Sequence, residues 1–151
     1  MRKTILLTAV FLFASQGLFA DQKYFSEVKK VAKSYRVETS FENMKIVKDE
    51  KGKDVFYITL SSNRNNFEMV MLVGFISVGQ AMTHQEAFAK KKSGYTAVVP
   101  SDTEVTVSIP VSRQSTIITA KATADQIRQL TEGKIDSAGF VRLIKDSIQT
   151  L

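Results

Sequence analysis

The stretch 66-NFEMVMLVGFISVGQAM-82 decides the fold. It can be read as a membrane span, a buried strand or a buried helix. From Met69 to Gln85 no residue carries a formal charge. A span, however, takes about 20 predominantly apolar residues, and dense apolar character stops at Val78. As a helix, residues 69–78 rise only about 15 Å, leaving Ser77, Gln80, Thr83, His84 and Gln85 to sit in lipid. The run does not suit a bilayer. As a strand it is apolar on both faces, which only a fully covered central strand tolerates. Its continuation, THQEAFAKKK, is made of good helix formers. On a helical wheel Gly74, Ser77 and Ala81 form a small-residue stripe beside a bulky one of Met71, Phe75, Val78 and Met82. Gln80, Thr83 and His84 fall opposite. The stretch therefore predicts the start of a long central helix, buried nearly all round at first and amphipathic later. Core packing is the simplest role for Gly74, Ser77 and Ala81, because a small stripe admits close approach of a sheet or helix. A dimer face or the wall of an apolar ligand cavity is the alternative.

Working outward, 21-DQKYFSEVKKVAKSYR-36 places Tyr24, Phe25, Val28, Val31, Ala32 and Tyr35 on one helical face and Lys23, Lys29, Lys30, Lys33 and Arg36 on the other. Met44 and Ile46, the polar turn KDEKGKD and then VFYITL predict a hairpin. The loop SSNRNN supplies Asn65 or Asn66 to cap the long helix. Lys90, Lys91 and Lys92 suit that helix's C-terminus, and Gly94 suits a left-handed cap. YTAVVPSD reads as extended, turning at Pro100-Ser101-Asp102. Val105, Val107, Ile109 and Val111 alternate with Glu104, Thr106 and Ser108, the pattern of a strand with one wet face. SRQ turns the chain and STIITAK returns. Thr123 and Gln126 have capping-box spacing, with a stop near Gly133. Asp136 or Ser137 caps a last helix carrying Phe140, Leu143, Ile144, Ile148 and Leu151. The expected architecture is a single α+β domain, an antiparallel sheet packed by the long central helix with additional N- and C-terminal helices.

Residues 1–20, MRKTILLTAVFLFASQGLFA, have the layout of a secretory signal peptide: Arg2 and Lys3, an apolar stretch too short to span, then a small-residue end. Cleavage after Ala20 leaves a polar start at Asp21-Gln22; cleavage after Gly17 fits small-x-small better but exposes Leu18-Phe19. The domain then covers residues 21–151, and loss of Arg2 and Lys3 lowers the net charge from +6 to +4. That balance does not mark a nucleic-acid binder. The chain has no cysteine, hence no disulfides, thiol nucleophile or thiolate metal site. It also has no Asn-x-Ser/Thr acceptor. Together these features point to a bacterial exported protein, periplasmic in a Gram-negative cell or fully secreted, with no transmembrane span after signal cleavage.

Few chemical constellations are visible. His84 is the sole histidine, no serine sits in a G-x-S-x-G elbow, and neither a Walker loop nor G-x-G-x-x-G occurs. Asp49, Glu50 and Asp54 lie in a lysine-interleaved turn without calcium-loop spacing. No metal or cofactor is expected. Two basic features remain: Lys29, Lys30, Lys33 and Arg36 on the first helix, and Lys90, Lys91 and Lys92 at the end of the long one. If they share a surface, they suit an anionic partner. The leading expectation is an exported, non-enzymatic binding or chaperone-like protein acting on a protein or anionic envelope component. A carrier of a small apolar ligand beside Gly74 and Ala81 is one alternative, and a small hydrolase using spatially paired carboxylates is another.

Overall fold

The computed structural model describes residues 19–63, 65–111 and 114–151. Most of the expected signal peptide, residues 1–18, lies outside the described residues, as do Arg64 of the SSNRNN loop and Ser112 and Arg113 of the SRQ turn. The elements run α1 (19–34), a 3-10 turn at Phe41–Asn43, β1 (Met44–Lys48), β2 (Asp54–Ser61), α2 (Phe67–Lys91), β3 (Asp102–Val111), β4 (Gln114–Thr123), α3 (Ala124–Thr131), α4 (Ser137–Ile144), a 3-10 turn at Lys145–Ser147 and β5 (Gln149–Thr150). No helix among the described residues is long and apolar enough to cross a membrane.

The five strands form one sheet in the order β1-β2-β3-β4-β5. It is mixed rather than the expected antiparallel sheet: β2 and β3 run parallel, with Ile58 opposite Val105 and Leu60 opposite Val107. The long helix is the cause. A 25-residue helix between β2 and β3 carries the chain back along the sheet, so the next strand starts at the same end as the last, which a short hairpin cannot achieve. The remaining neighbours are antiparallel.

Alternation along the strands fixes the two faces. Phe56, Ile58, Leu60, Val105, Val107, Ile109, Ile118, Ala120 and Ala122 are buried. The alternate positions carry Lys45, Tyr57, Glu104 and Lys121 in one cross-strand row and Thr59, Thr106 and Thr119 in the next. Helices pack on the apolar face. Tyr24 of α1 meets Phe56 edge-on with centroids 5.2 Å apart, and Phe75 of α2 meets Phe140 of α4 at the same separation.

Two glycines explain how closely α2 sits. A Cβ on Gly74 would lie 2.9 and 3.1 Å from the Val105 methyls and 3.2 Å from Leu60 Cδ1; one on Gly79 would meet the Thr131 side chain and lie 2.9 Å from Ile127 Cγ2. Gly74 thus lets the helix reach β2 and β3, and Gly79 lets α3 dock on it.

Several local expectations differ in instructive ways. Asn66 occupies the N-cap of α2 but makes no side-chain capping bond. Residues 95–100 form no strand. The last helix stops at Ile144, so Ile148 and Leu151 are not on it. Ser147 Oγ instead donates to Lys121 O at 2.8 Å and accepts from Lys121 N at 2.9 Å, tying the tail to β4, where Leu151 N donates to Ile117 O at 2.8 Å. The capping box at Thr123 is present in both halves, Gln126 N to Thr123 Oγ1 at 3.2 Å and Thr123 N to Gln126 Oε1 at 2.9 Å. Asp136 is the cap of α4, accepting from Gly139 N at 2.7 Å.

Candidate functional site

The helices α1 and α2 run in opposite directions, which places the two basic segments. At one end Lys23 Nζ lies 4.3 Å from the Phe88 ring centroid and Gln85 Nε2 donates to Glu27 Oε2 at 3.4 Å. Lys92 belongs to this end, with Nζ 5.5 Å from the Phe88 centroid and 5.6 Å from that of Phe19. Acidic groups collect there as well. Burial and then the nearby Asp54 raise the Asp21 carboxyl above its usual range. Lys33 and Arg36 belong to the other end, since the rise from Lys23 to Lys33 is about 15 Å. The structure therefore separates Lys90, Lys91 and Lys92 from Lys33 and Arg36, because one group starts near the head of α1 and the other ends it.

Gly74, Ser77 and Ala81 are buried inside the chain. Gly74 faces the sheet, and Ser77 Oγ donates to Val73 O at 2.7 Å. His84 is exposed on α2. Among the described residues, no group of three or more His, Cys, Asp or Glu side chains is placed to hold a metal ion.

The end of α1 is built by a left-handed stop. Val37 N donates to Ala32 O at 3.0 Å and Arg36 N to Lys33 O at 2.9 Å, with Arg36 at φ 62°. These are the two bonds of a Schellman motif, in which glycine ordinarily takes the left-handed position. An arginine there costs on the order of 1 kcal/mol relative to glycine. The turn drives Val37 into the core while leaving Tyr35 exposed, so Tyr35 does not continue the buried face of α1 as its spacing suggests.

Beyond this stop lie two clefts. The larger, about 450 Å³, is lined by Tyr35, Arg36 and Glu38, by Ser61 at the end of β2, by Asn63 and Asn66 of the β2–α2 connection, and by Met69 and Pro110 among others. It opens where the parallel strands β2 and β3 end, a position that favours ligand crevices in sheets with parallel pairs. The smaller, about 270 Å³, is lined by Lys29, Lys33, Glu38 and Thr39. The two share Glu38. Tyr35 and Met69, both in the lining of the larger cleft, keep 44% and 48% of their surface exposed. Among the described residues, no ion pair involves Lys29, Lys30, Lys33 or Arg36. Lys30 is exposed on α1 and lines neither cleft.

Sequence pattern identifies the lysines and arginine of this surface but not Tyr35, Glu38, Thr39, Asn63 or Met69, which come together only through the α1 stop and the parallel crossover. One usable signal is the run SSNRNN directly after an apolar strand, too polar and too long for a minimal connection. Comparison with protein families, curated proteins and solved structures finds no match to this chain.

Proposed function

We propose that this chain is an exported, non-enzymatic binding protein that engages a protein or anionic component of the cell envelope through the end of α1 and the clefts it borders. The observation that carries this reading is Arg36. A non-glycine residue in the left-handed region at a helix stop departs from local preference, and such departures concentrate where a side chain serves something other than folding. Here Arg36 and Glu38 line a cleft together with the exposed Tyr35 and Met69, a mixture of charged and large apolar or aromatic groups typical of recognition surfaces. Export is inferred from residues 1–20, and the periplasm of a Gram-negative cell fits the absence of cysteine.

Arg36→Gly tests the reading with little risk to the fold, since glycine suits φ 62°. Mature protein with and without the substitution is incubated with envelope extract. Components retained by the native chain and lost with Arg36→Gly, at equal or higher thermal stability, support the proposal. Identical retention by both refutes it.

A further inference from the structure

The two edges of the sheet end differently. On the β4 side the chain closes its own edge: β5 pairs with Ile118 and Thr119, and Ser147 Oγ bonds both backbone groups of Lys121. Among the described residues, no strand covers the outer side of β1. Asp49 N donates to Lys53 O at 2.8 Å, and hydrogen-bonded pairs alternate along an antiparallel ladder. Lys45 and Val47 therefore bond to β2, and the N–H and C=O groups of Ile46 and Lys48 point away from it. Apolar surface flanks this bare edge on both faces. Val47 keeps 44% of its surface exposed on the open face, and Phe41 keeps 46% on the helical one, its ring 6.3 Å from that of Phe25. A bare edge is a template for another strand, and lysines commonly guard it. Here Lys45 and Lys48 lie on it.

We infer that β1 pairs antiparallel with β1 of a second copy about a two-fold axis at Val47, joining two five-stranded sheets into one. Charge selects this register. Outward groups meet only when the axis passes through a residue. An axis at Lys45 or Lys48 sets a lysine against its own copy, and one at Ile46 sets Glu42 against the partner's Glu50; like charges directly opposite repel. An axis at Val47 instead sets Lys45 against the partner's Asp49, and symmetry repeats the pair. Among the described residues Lys45 has no ion pair. Asp49 Oδ1 is held by Lys51 N and Lys53 N, both at 2.8 Å, which leaves Oδ2 for the incoming ammonium. Lys48 is satisfied by Asp54 at 2.8 Å, so only its apolar stem needs to pack on the partner's Ile46. Ile46 and the partner's Lys48 exchange their outward backbone hydrogen bonds, and Val47 faces its own copy. No β1 residue lines either cleft, so this pairing is independent of the surface at the end of α1.

The chain has no cysteine, so single cysteines report the register. Position 47 meets its copy as a non-hydrogen-bonded pair with Cα atoms about 4.5 Å apart, within disulfide reach. Mature Val47→Cys should oxidise rapidly to a linked dimer. Lys45→Cys should not, because its copies lie about 13 Å apart along the strands. Sedimentation equilibrium of the native chain should show a reversible dimer within a series reaching about 1 mM, since a contact of this size binds weakly. Val47→Lys sets like charges on the axis and should leave a monomer with the native melting temperature. A native chain that is monomeric throughout, a dimer that survives Val47→Lys, or equal oxidation of the two cysteine variants overturns the pairing. A monomer whose β1 amides become protected from hydrogen exchange only in envelope extract also overturns it, and gives the edge to a foreign strand.

Discussion

Gly79→Ala puts a number on the packing that holds α2 in place. By helix propensity alone the change stabilises, since alanine exceeds glycine by about 1 kcal/mol in a helix interior. The structure opposes it. The new methyl meets the Thr131 side chain and lies 2.9 Å from both Ile127 Cγ2 and Thr131 Oγ1. Neither neighbour yields easily: Ile127 is fully buried, and Thr131 Oγ1 donates to Ile127 O at 3.2 Å. Overpacking costs roughly 1–3 kcal/mol, and with all three nearest atoms under 3.0 Å this site falls in the upper part of that range, about 2–3 kcal/mol. Because α3 is also tied to α2 by Arg128 on Glu86 at 2.7 and 3.1 Å, it cannot simply slide outward. The balance is a net loss of about 1–2 kcal/mol, a fall of roughly 3–8 °C in a domain this size. Thermal unfolding followed by circular dichroism measures it. Thr131→Ser removes the clashing methyl and keeps the hydroxyl, so the double variant should recover part of the loss, a positive coupling between the two positions. A Gly79→Ala protein as stable as the native chain, or more so, would refute the docking of α3 at Gly79.

Other outcomes follow from buried polar groups. Gln85 is fully buried and its Oε1 accepts from Tyr95 OH at 2.7 Å and Val98 N at 3.1 Å; Gln85→Leu strands both donors and should lower stability by about 2–4 kcal/mol in urea unfolding. Tyr24 is the opposite case, because burial raises its phenol far above the usual range and the hydroxyl has no partner among the described residues. Tyr24→Phe should therefore leave the melting temperature equal or higher, and a fall of several degrees would show a missed partner. The hydrogen bond and charge of Arg128 hold the Glu86 carboxyl below its ordinary value of 4.5, against a smaller desolvation effect. A lowered carboxylate pKa stabilises above the unfolded value and is lost as pH falls through the folded one. The stability gap between native and Glu86→Gln should accordingly be present at pH 7 and vanish in acid below pH 4.5. With the Glu86 side chain 39% exposed, solvent screening keeps that gap under about 1 kcal/mol.

The opening stretch made the helix legible because its length, polar continuation and small stripe leave no other element. Val105, Val107 and Ile109 announced their strand by strict alternation, and Thr123 with Gln126 announced a cap. The direction of the sheet was not legible, since each strand's pattern is the same whichever way its neighbour runs; only the crossover of α2 decides it. The tail was misread because Ile148 and Leu151 fit a helical spacing that α4 does not reach. The basic face of α1 could be read from periodicity, but its separation from Lys90–Lys92 depends on the antiparallel packing of α1 and α2. Gly79, Thr39 and the turn at Arg36 act through contacts between segments distant in sequence, which periodicity does not record.

Site-specific photo-crosslinking tests the central claim most directly. A photoreactive phenylalanine analogue replaces Tyr35 at the cleft or, in a second protein, Thr59 on the exposed polar face of the sheet. Illumination in intact envelope should yield adducts from position 35 that compete away with excess native protein, and none from position 59. Adducts from position 59 alone, or from neither position, would contradict a binding surface at the end of α1.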